Sequence, residues 1–204
     1  MNIEQTFFTT LRFNFLYVDY YEFKKAWVFP ESYIPYSMLR YVVKGKGIFI
    51  IDGQKFEVKE NQICYIPEGC RLECYAVGDE LDFISIRFTT TVKINDNDLL
   101  TDFYHLKKLI DDPDRSIFQR FNEVYNYAKG DSIARLFHIR GNLELIIAWV
   151  VEQTNSGQDD SGSPVVFGDG MEHTALADPK WDPSIEASRR RATSSNRILS
   201  LIHI

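Results

Sequence analysis

The sequence predicts a mainly antiparallel β fold, a small barrel or jelly roll, followed by two helices and a polar linker. Three observations carry this expectation. Between Tyr36 and Phe88, short runs rich in Ile, Val, Phe and Tyr are separated every few residues by Gly, Asp or Pro. Among them Asp52-Gly53 is a hairpin signal, because a type I′ turn needs positive φ at both central residues. After residue 110 the apolar pattern changes to helical spacing.

The elements follow in order. Leu11–Val18 and Tyr21–Phe29 alternate imperfectly and read as lead-in strands, with Pro30–Pro35 as a connection. Met38–Lys44, Gly47–Asp52, Gln54–Val58 and Gln62–Ile66 read as a meander, ended by the turn Pro67-Glu68-Gly69. Leu72–Val77 is the next strand, and Gly78-Asp79-Glu80 reads as a turn into Leu81–Phe88. Alternation in that strand sets Leu81, Phe83, Ser85 and Arg87 on one face and Asp82, Ile84, Ile86 and Phe88 on the other. Thr91–Ile110 has no assignment.

Asp112 can cap a helix with Pro113 in its first turn. Ile117, Phe118, Phe121, Val124, Tyr125 and Ala128 then recur at helical spacing, and Gly130 supplies a stop. A second helix starts at Asp131 or Ser132, with Ile133, Leu136, Leu143, Ile147 and Val150 in three- and four-residue steps that Arg140 interrupts. Such a seam suits packing on another copy or simple cover of the barrel. For the first use, Leu136, Leu143, Ile147 and Val150 are the dimer contacts. From Asn155, Ser, Gly, Asp and Pro dominate, as in a linker or disordered tail. There Arg189-Arg190-Arg191 reads as a solvated run and not as a dedicated phosphate site.

Size and charge narrow the function. The 204 residues suffice for one buried domain with appendages. A net charge of −6 gives no electrostatic reason for this stretch to bind nucleic acid. No run approaches the roughly 18 apolar residues of a membrane span, so the cytoplasm is expected. Cys64, Cys70 and Cys74 are odd in number and read as strand cysteines, not a disulfide framework.

Chemistry is limited by where the histidines fall. His105, His138, His173 and His203 all lie outside the barrel stretch. Neither a histidine metal site nor a Ser/His/Asp or Cys/His set can be nominated on its strands. Gly45-Lys46-Gly47 sits between strands, not before a helix, and is no phosphate loop. The reading that remains is a barrel that holds a small molecule without transforming it. Trp27, Tyr41, Tyr75 and Phe83 could stack on such a ligand, the alternative being plain aromatic core. Arg40 and Arg87 either face solvent, the commoner outcome, or meet a carboxylate or hydroxyl-rich ligand. An enzyme reading would need Tyr65, Tyr75 or Glu73 as general base.

The run Tyr41-Val42-Val43-Lys44-Gly45-Lys46-Gly47, followed by Ile51-Asp52-Gly53, Val58, Ile63–Ile66 and Pro67-x-Gly69, resembles the cupin superfamily. Metal-using cupins place histidines where this chain has Glu31–Ser37 and Cys70–Glu73, so the resemblance implies no metal and no cofactor here. With two helices and a polar linker following, residues 10–153 resemble the N-terminal sensor half of an AraC-type transcriptional regulator. That resemblance implies a barrel at 1–110 that binds a small effector, often a sugar. It also implies a helical dimerisation segment at 111–154, giving a homodimer through the second helix. Promoter DNA would be read only by a C-terminal helix-turn-helix half, missing here. Residues 155–198 would be the linker or a non-native join. Residues 199–204 would be the opening of the missing half, or the translated end of a sequencing adapter. The alternatives are a stand-alone binding cupin or a metal-free sugar isomerase or epimerase.

Overall fold

In the computed structural model, residues 10–92 and 98–156 are described; expectations for residues 157–204, the arginine triplet and the last six residues among them, lie outside the described residues. Seven strands form among the described residues: β1 (Phe13–Lys24), β2 (Val28–Tyr33), β3 (Ser37–Ile51), β4 (Gln54–Lys59), β5 (Gln62–Ile66), β6 (Arg71–Thr90) and β7 (Leu109–Asp111). All pairings are antiparallel, in the order β1-β6-β3-β5-β7, with β2 added to β6 and β4 to β3.

Two long strands run through the whole barrel and bend in the middle. The start of β3, Ser37–Val42, pairs with β5 and with the end of β6, which pairs with β1. The rest of β3, Lys46–Ile51, pairs with β4 and with the beginning of β6, which pairs with β2. One sheet is thereby folded into two leaves. The bend lies at register shifts between Val42 and Lys44 and between Gly45 and Lys46, where β6 skips from Leu81 to Val77. Gly45 has φ +77°, and a Cβ there would lie 2.1 Å from the Glu80 carbonyl oxygen, so no larger residue fits the corner.

Several expected breaks are therefore absent. Gly45-Lys46-Gly47 and Gly78-Asp79-Glu80 are bulges within single strands, because glycine serves a bulge as readily as a turn. The first strand continues through Asp19 and Tyr20 to Lys24, and the break falls at Ala26, which takes φ 68°. Pro30 lies inside β2 at a register shift between Phe29 and Ser32, where an edge strand tolerates the missing N–H. The Asp52-Gly53 turn has positive φ at both residues, 50° and 79°, as expected.

The inner faces of the leaves meet in one core: Met38, Val42, Phe49, Ile51, Val58, Cys64, Ile66, Leu72, Cys74, Leu81 and Phe83. The outer face of the first leaf forms a second core with the helices. There Leu39, Tyr41, Ile63, Tyr65, Ile84, Ile86 and Phe88 pack against α2 (Phe118–Lys129) and α3 (Arg135–Asn155). A short α1 (Leu99–Asp102) and β7 lie in the previously unassigned span. Burying a Phe or Leu side chain completely is worth about 1.5–3 kcal/mol; Phe121 and Leu143, both fully buried, anchor the helices in this layer.

Asp112 does not cap α2, whose N-cap is Ile117 with no side-chain cap hydrogen bond, so the helix starts later than expected. The Asp112 carboxylate accepts from the backbone N–H groups of Ser116 and Ile117 and from the Tyr41 hydroxyl at 3.0 Å, while α2 itself starts at Phe118. Gly130 ends α2, and α3 begins only at Arg135, after a turn in which Arg135 N–H reaches the Ser132 carbonyl. The expected seam of α3 divides. Leu143, Ile147 and Val150 are buried in the chain's own core, and Leu136, one turn ahead of the first buried residue Ile139, is 67% exposed. The opposite side of α3 exposes Phe137, Gly141, Leu145 and Ala148 at four- and three-residue steps.

Candidate functional site

The inner face is apolar by sequence, and one residue breaks that rule. Arg40 sits on β3 between Met38 and Val42, and alternation turns all three inward. It is 6% exposed. Its Nη1 donates to the Cys74 thiol sulfur on the facing leaf at 3.2 Å, and Nη2 meets the Met38 thioether at 3.9 Å. The guanidinium lies over the rings of Phe83 at 4.8 Å and Phe49 at 5.2 Å. Its Nε has no hydrogen-bond partner. Among the described residues it has no ion pair.

Arg87 lies diagonally beside it. Arg40 pairs with Ser85 and Met38 with Arg87 across β3 and β6, which sets the two arginines about 7–8 Å apart on one face. Half-buried, Arg87 donates to the Tyr21 hydroxyl at 2.9 Å and rests between the rings of Tyr17 and Tyr36. Its Nε is also buried without a partner. The acidic residue on the same face of β1, Asp19, is engaged elsewhere, by Lys129 at 3.0 Å and by the Tyr17 hydroxyl.

An aromatic group adjoins the arginines. Phe23 and Trp27 stack with ring centroids 3.8 Å apart, and both approach Phe83, as does Tyr21. Phe83 is buried, whereas Tyr21, Phe23 and Trp27 are half-buried. Half-buried aromatic rings thus adjoin a buried ring, guanidinium and thiol. Burial pushes the Cys64 and Cys74 thiols up, and with Asp52 it raises Cys70 to about 11. All three cysteines are free. They are protonated near neutral pH and are not primed nucleophiles.

Of the residues expected at a pocket, Trp27, Arg40, Phe83 and Arg87 share this face. Tyr41 and Tyr75 do not. Tyr41, next to Arg40 in the chain, points to the helix layer, contacting Phe118 and Phe121 and donating to Asp112. Tyr75, next to inward Cys74, alternates to the other side of its leaf. The expected outward placement of strand arginines is overturned for Arg40. Tyr21, Phe23 and Phe49 are not among the residues expected at a pocket, and Cys74 is expected only as a strand cysteine; Tyr21 and Phe23 are placed by the register of β1 on β6, Phe49 and Cys74 by that of β3 on β6.

Possible base groups lie elsewhere. The Tyr65 hydroxyl donates to Asp98, and burial together with that carboxylate pushes it well above the usual phenol range. Lys108, lowered by burial, lies over the Tyr65 ring. Among the described residues no three His, Cys, Asp or Glu side chains are grouped to hold a metal. Nor is any described helix long and apolar enough to cross a membrane.

Comparison with known families matches residues 15–92 to the AraC-like ligand binding domain. Solved structures with similarity include an RmlC-like cupin family protein with a double-stranded β-helix fold from Methanocaldococcus jannaschii, at 17% identity and a TM-score of 0.33, covering 34% of this chain and 66% of that one. The Clostridium difficile EutQ protein is 23% identical with a TM-score of 0.31, over 38% of this chain and 61% of its own. A predicted oxalate decarboxylase from Thermotoga maritima is 13% identical with a TM-score of 0.34, over 44% of this chain and 76% of its own. The chain thus spans less than two thirds of the first two of these proteins. No curated protein matches it.

Proposed function

We propose that this chain is the effector-sensing and dimerisation part of an AraC-type transcription regulator in the cytoplasm, binding a small metabolite in its barrel without chemical conversion. The match of residues 15–92 to a ligand-binding domain supports the sensing half of this reading. The observation that carries the site is the inner face itself: half-buried Tyr21, Phe23 and Trp27 lead to a buried guanidinium, with no acid–base pair beside it. Aromatic rings with a few polar groups are what a recognition site needs. Half-buried Trp27 supplies the readout. A ligand screen by thermal shift and Trp fluorescence should raise the melting temperature and change Trp27 emission, with the small molecule recovered unchanged. Turnover of a sugar would instead favour the isomerase alternative.

Dimerisation is assigned to α3, on its other side from the expected seam. Leu143, Ile147 and Val150 are consumed by the barrel, whereas Phe137, Leu145 and Ala148 with Gly141 form an exposed apolar line that Leu136 extends. Phe137→Glu with Leu145→Glu should convert a dimer to a monomer by light scattering. A monomeric parent protein would remove this assignment. DNA binding belongs to a separate helix-turn-helix half in this reading, and the net charge of −6 suits that division.

A further inference from the structure

We infer that the barrel takes a small organic acid, its carboxylate bound by Arg40 and its apolar or aromatic body held among Trp27, Phe23 and Phe83. This rests on the sensing role proposed above and specifies the ligand's charge.

The argument begins with solvation. A guanidinium has five N–H donors and loses water when buried; proteins ordinarily compensate with a carboxylate. Arg40 is 6% exposed, yet its polar contacts are a thiol and a thioether, both weak acceptors, and its Nε is unbonded. Two aromatic faces supply cation–π attraction but no lone pair in the plane of the fork. Arg87, one diagonal away, donates to the Tyr21 hydroxyl but also leaves its Nε unbonded. Two like charges on one inward face, without a carboxylate on either, leave a positive field inside an acidic protein.

The geometry favours a carboxylate over a phosphate. Arg40 presents a planar fork that fits two oxygens. Its surroundings, Met38, Phe49, Cys74 and Phe83, offer few further donors for a third oxygen and a second charge. Nearby Ser85 faces the Met38 sulfur. A neutral sugar would leave the guanidinium charge uncompensated. A sugar acid, an aryl acid or a short acyl acid would not.

The test uses the full chain and matched pairs differing only in charge: phenylacetate with phenylacetamide, hexanoate with hexanamide, and galacturonate with galactose. Acetate against chloride at equal ionic strength probes the fork alone, and phenyl phosphate probes the competing anion. Thermal shift and titration calorimetry are read on wild type, Arg40→Met and Arg40→Lys, with circular dichroism confirming the fold of each variant. At least one acid should bind at least about 30-fold more tightly than its neutral partner, and Arg40→Met should lose that margin. Arg40→Lys should keep part of it, having charge without the fork. Acetate should stabilise wild type above chloride, and Arg40→Met should not respond. Equal binding of the neutral partner, or tighter binding of phenyl phosphate, overturns the acid and leaves sensing intact. Silence of wild type toward every compound overturns both.

Discussion

The two cores of this protein treat buried polar groups in opposite ways. Between the first leaf and the helices, each one has a partner: Tyr41 donates to Asp112, Tyr65 to Asp98, and Asn142 bridges Arg120 and the His138 carbonyl. Between the leaves, Arg40 and Arg87 keep unbonded Nε atoms. Both cores are built from the same strands, so strand geometry does not cause the difference. A layer that only supports the fold is selected for satisfied hydrogen bonds, since an orphaned buried group costs about 1–3 kcal/mol. In the proposed reading, the layer that keeps unbonded donors holds them for the ligand.

Substitutions should therefore divide by layer. The largest loss is expected from Phe121→Ala, which empties space between α2 and the sheet and should lower unfolding stability by about 3–5 kcal/mol in urea titrations. Asp112→Ala follows, at about 2–3 kcal/mol, because the Tyr41 hydroxyl and the Ile117 N–H lose their acceptor together. Arg40→Met should have the opposite sign in ligand-free protein, a gain of up to about 1 kcal/mol, since it removes a desolvated charge without orphaning a strong partner. A loss as large as that of Asp112→Ala would erase the contrast between the layers.

The thiols sharpen the same comparison through pH. Cys70 is raised to about 11 by burial and then by Asp52, above the usual value of about 8.5. A group raised on folding stabilises fully below its unfolded value and loses that contribution as pH rises through the folded one. Between pH 8 and pH 10.5, wild type should lose more stability than Cys70→Ala; parallel declines would remove the effect. The smallest change is expected from Phe137→Glu, within about 0.5 kcal/mol for monomer stability because the residue is 77% exposed. Its effect should instead be on self-association.

Much of this was legible from residues and some was not, for physical reasons. The faces of Leu81–Phe88 followed from alternation, and the Asp52-Gly53 turn from its φ requirement. Gly45 and Gly78 misled because bulge and turn ask the same of glycine. In β3 both faces are apolar, Met38 and Val42 inward, Leu39 and Tyr41 outward, so polarity alone could not tell which way Arg40 turned. General desolvation cost argued for solvent, and Arg40 is the exception on which the proposed site rests. On α3 the spacing of Leu143, Ile147 and Val150 was right for burial but silent about what buries them.

The residue-by-residue alternation along Met38–Val42 also restricts how this gene can change length. Adding or deleting one codon at the start of β3 would exchange the faces, carrying Arg40 under the helices and delivering Tyr41 to the barrel interior. Neither layer could absorb the other's side chains. Length variation among descendants of this sequence should therefore arrive in twos within that strand, or be displaced to the Asp52-Gly53 tip, where the chain faces open solvent.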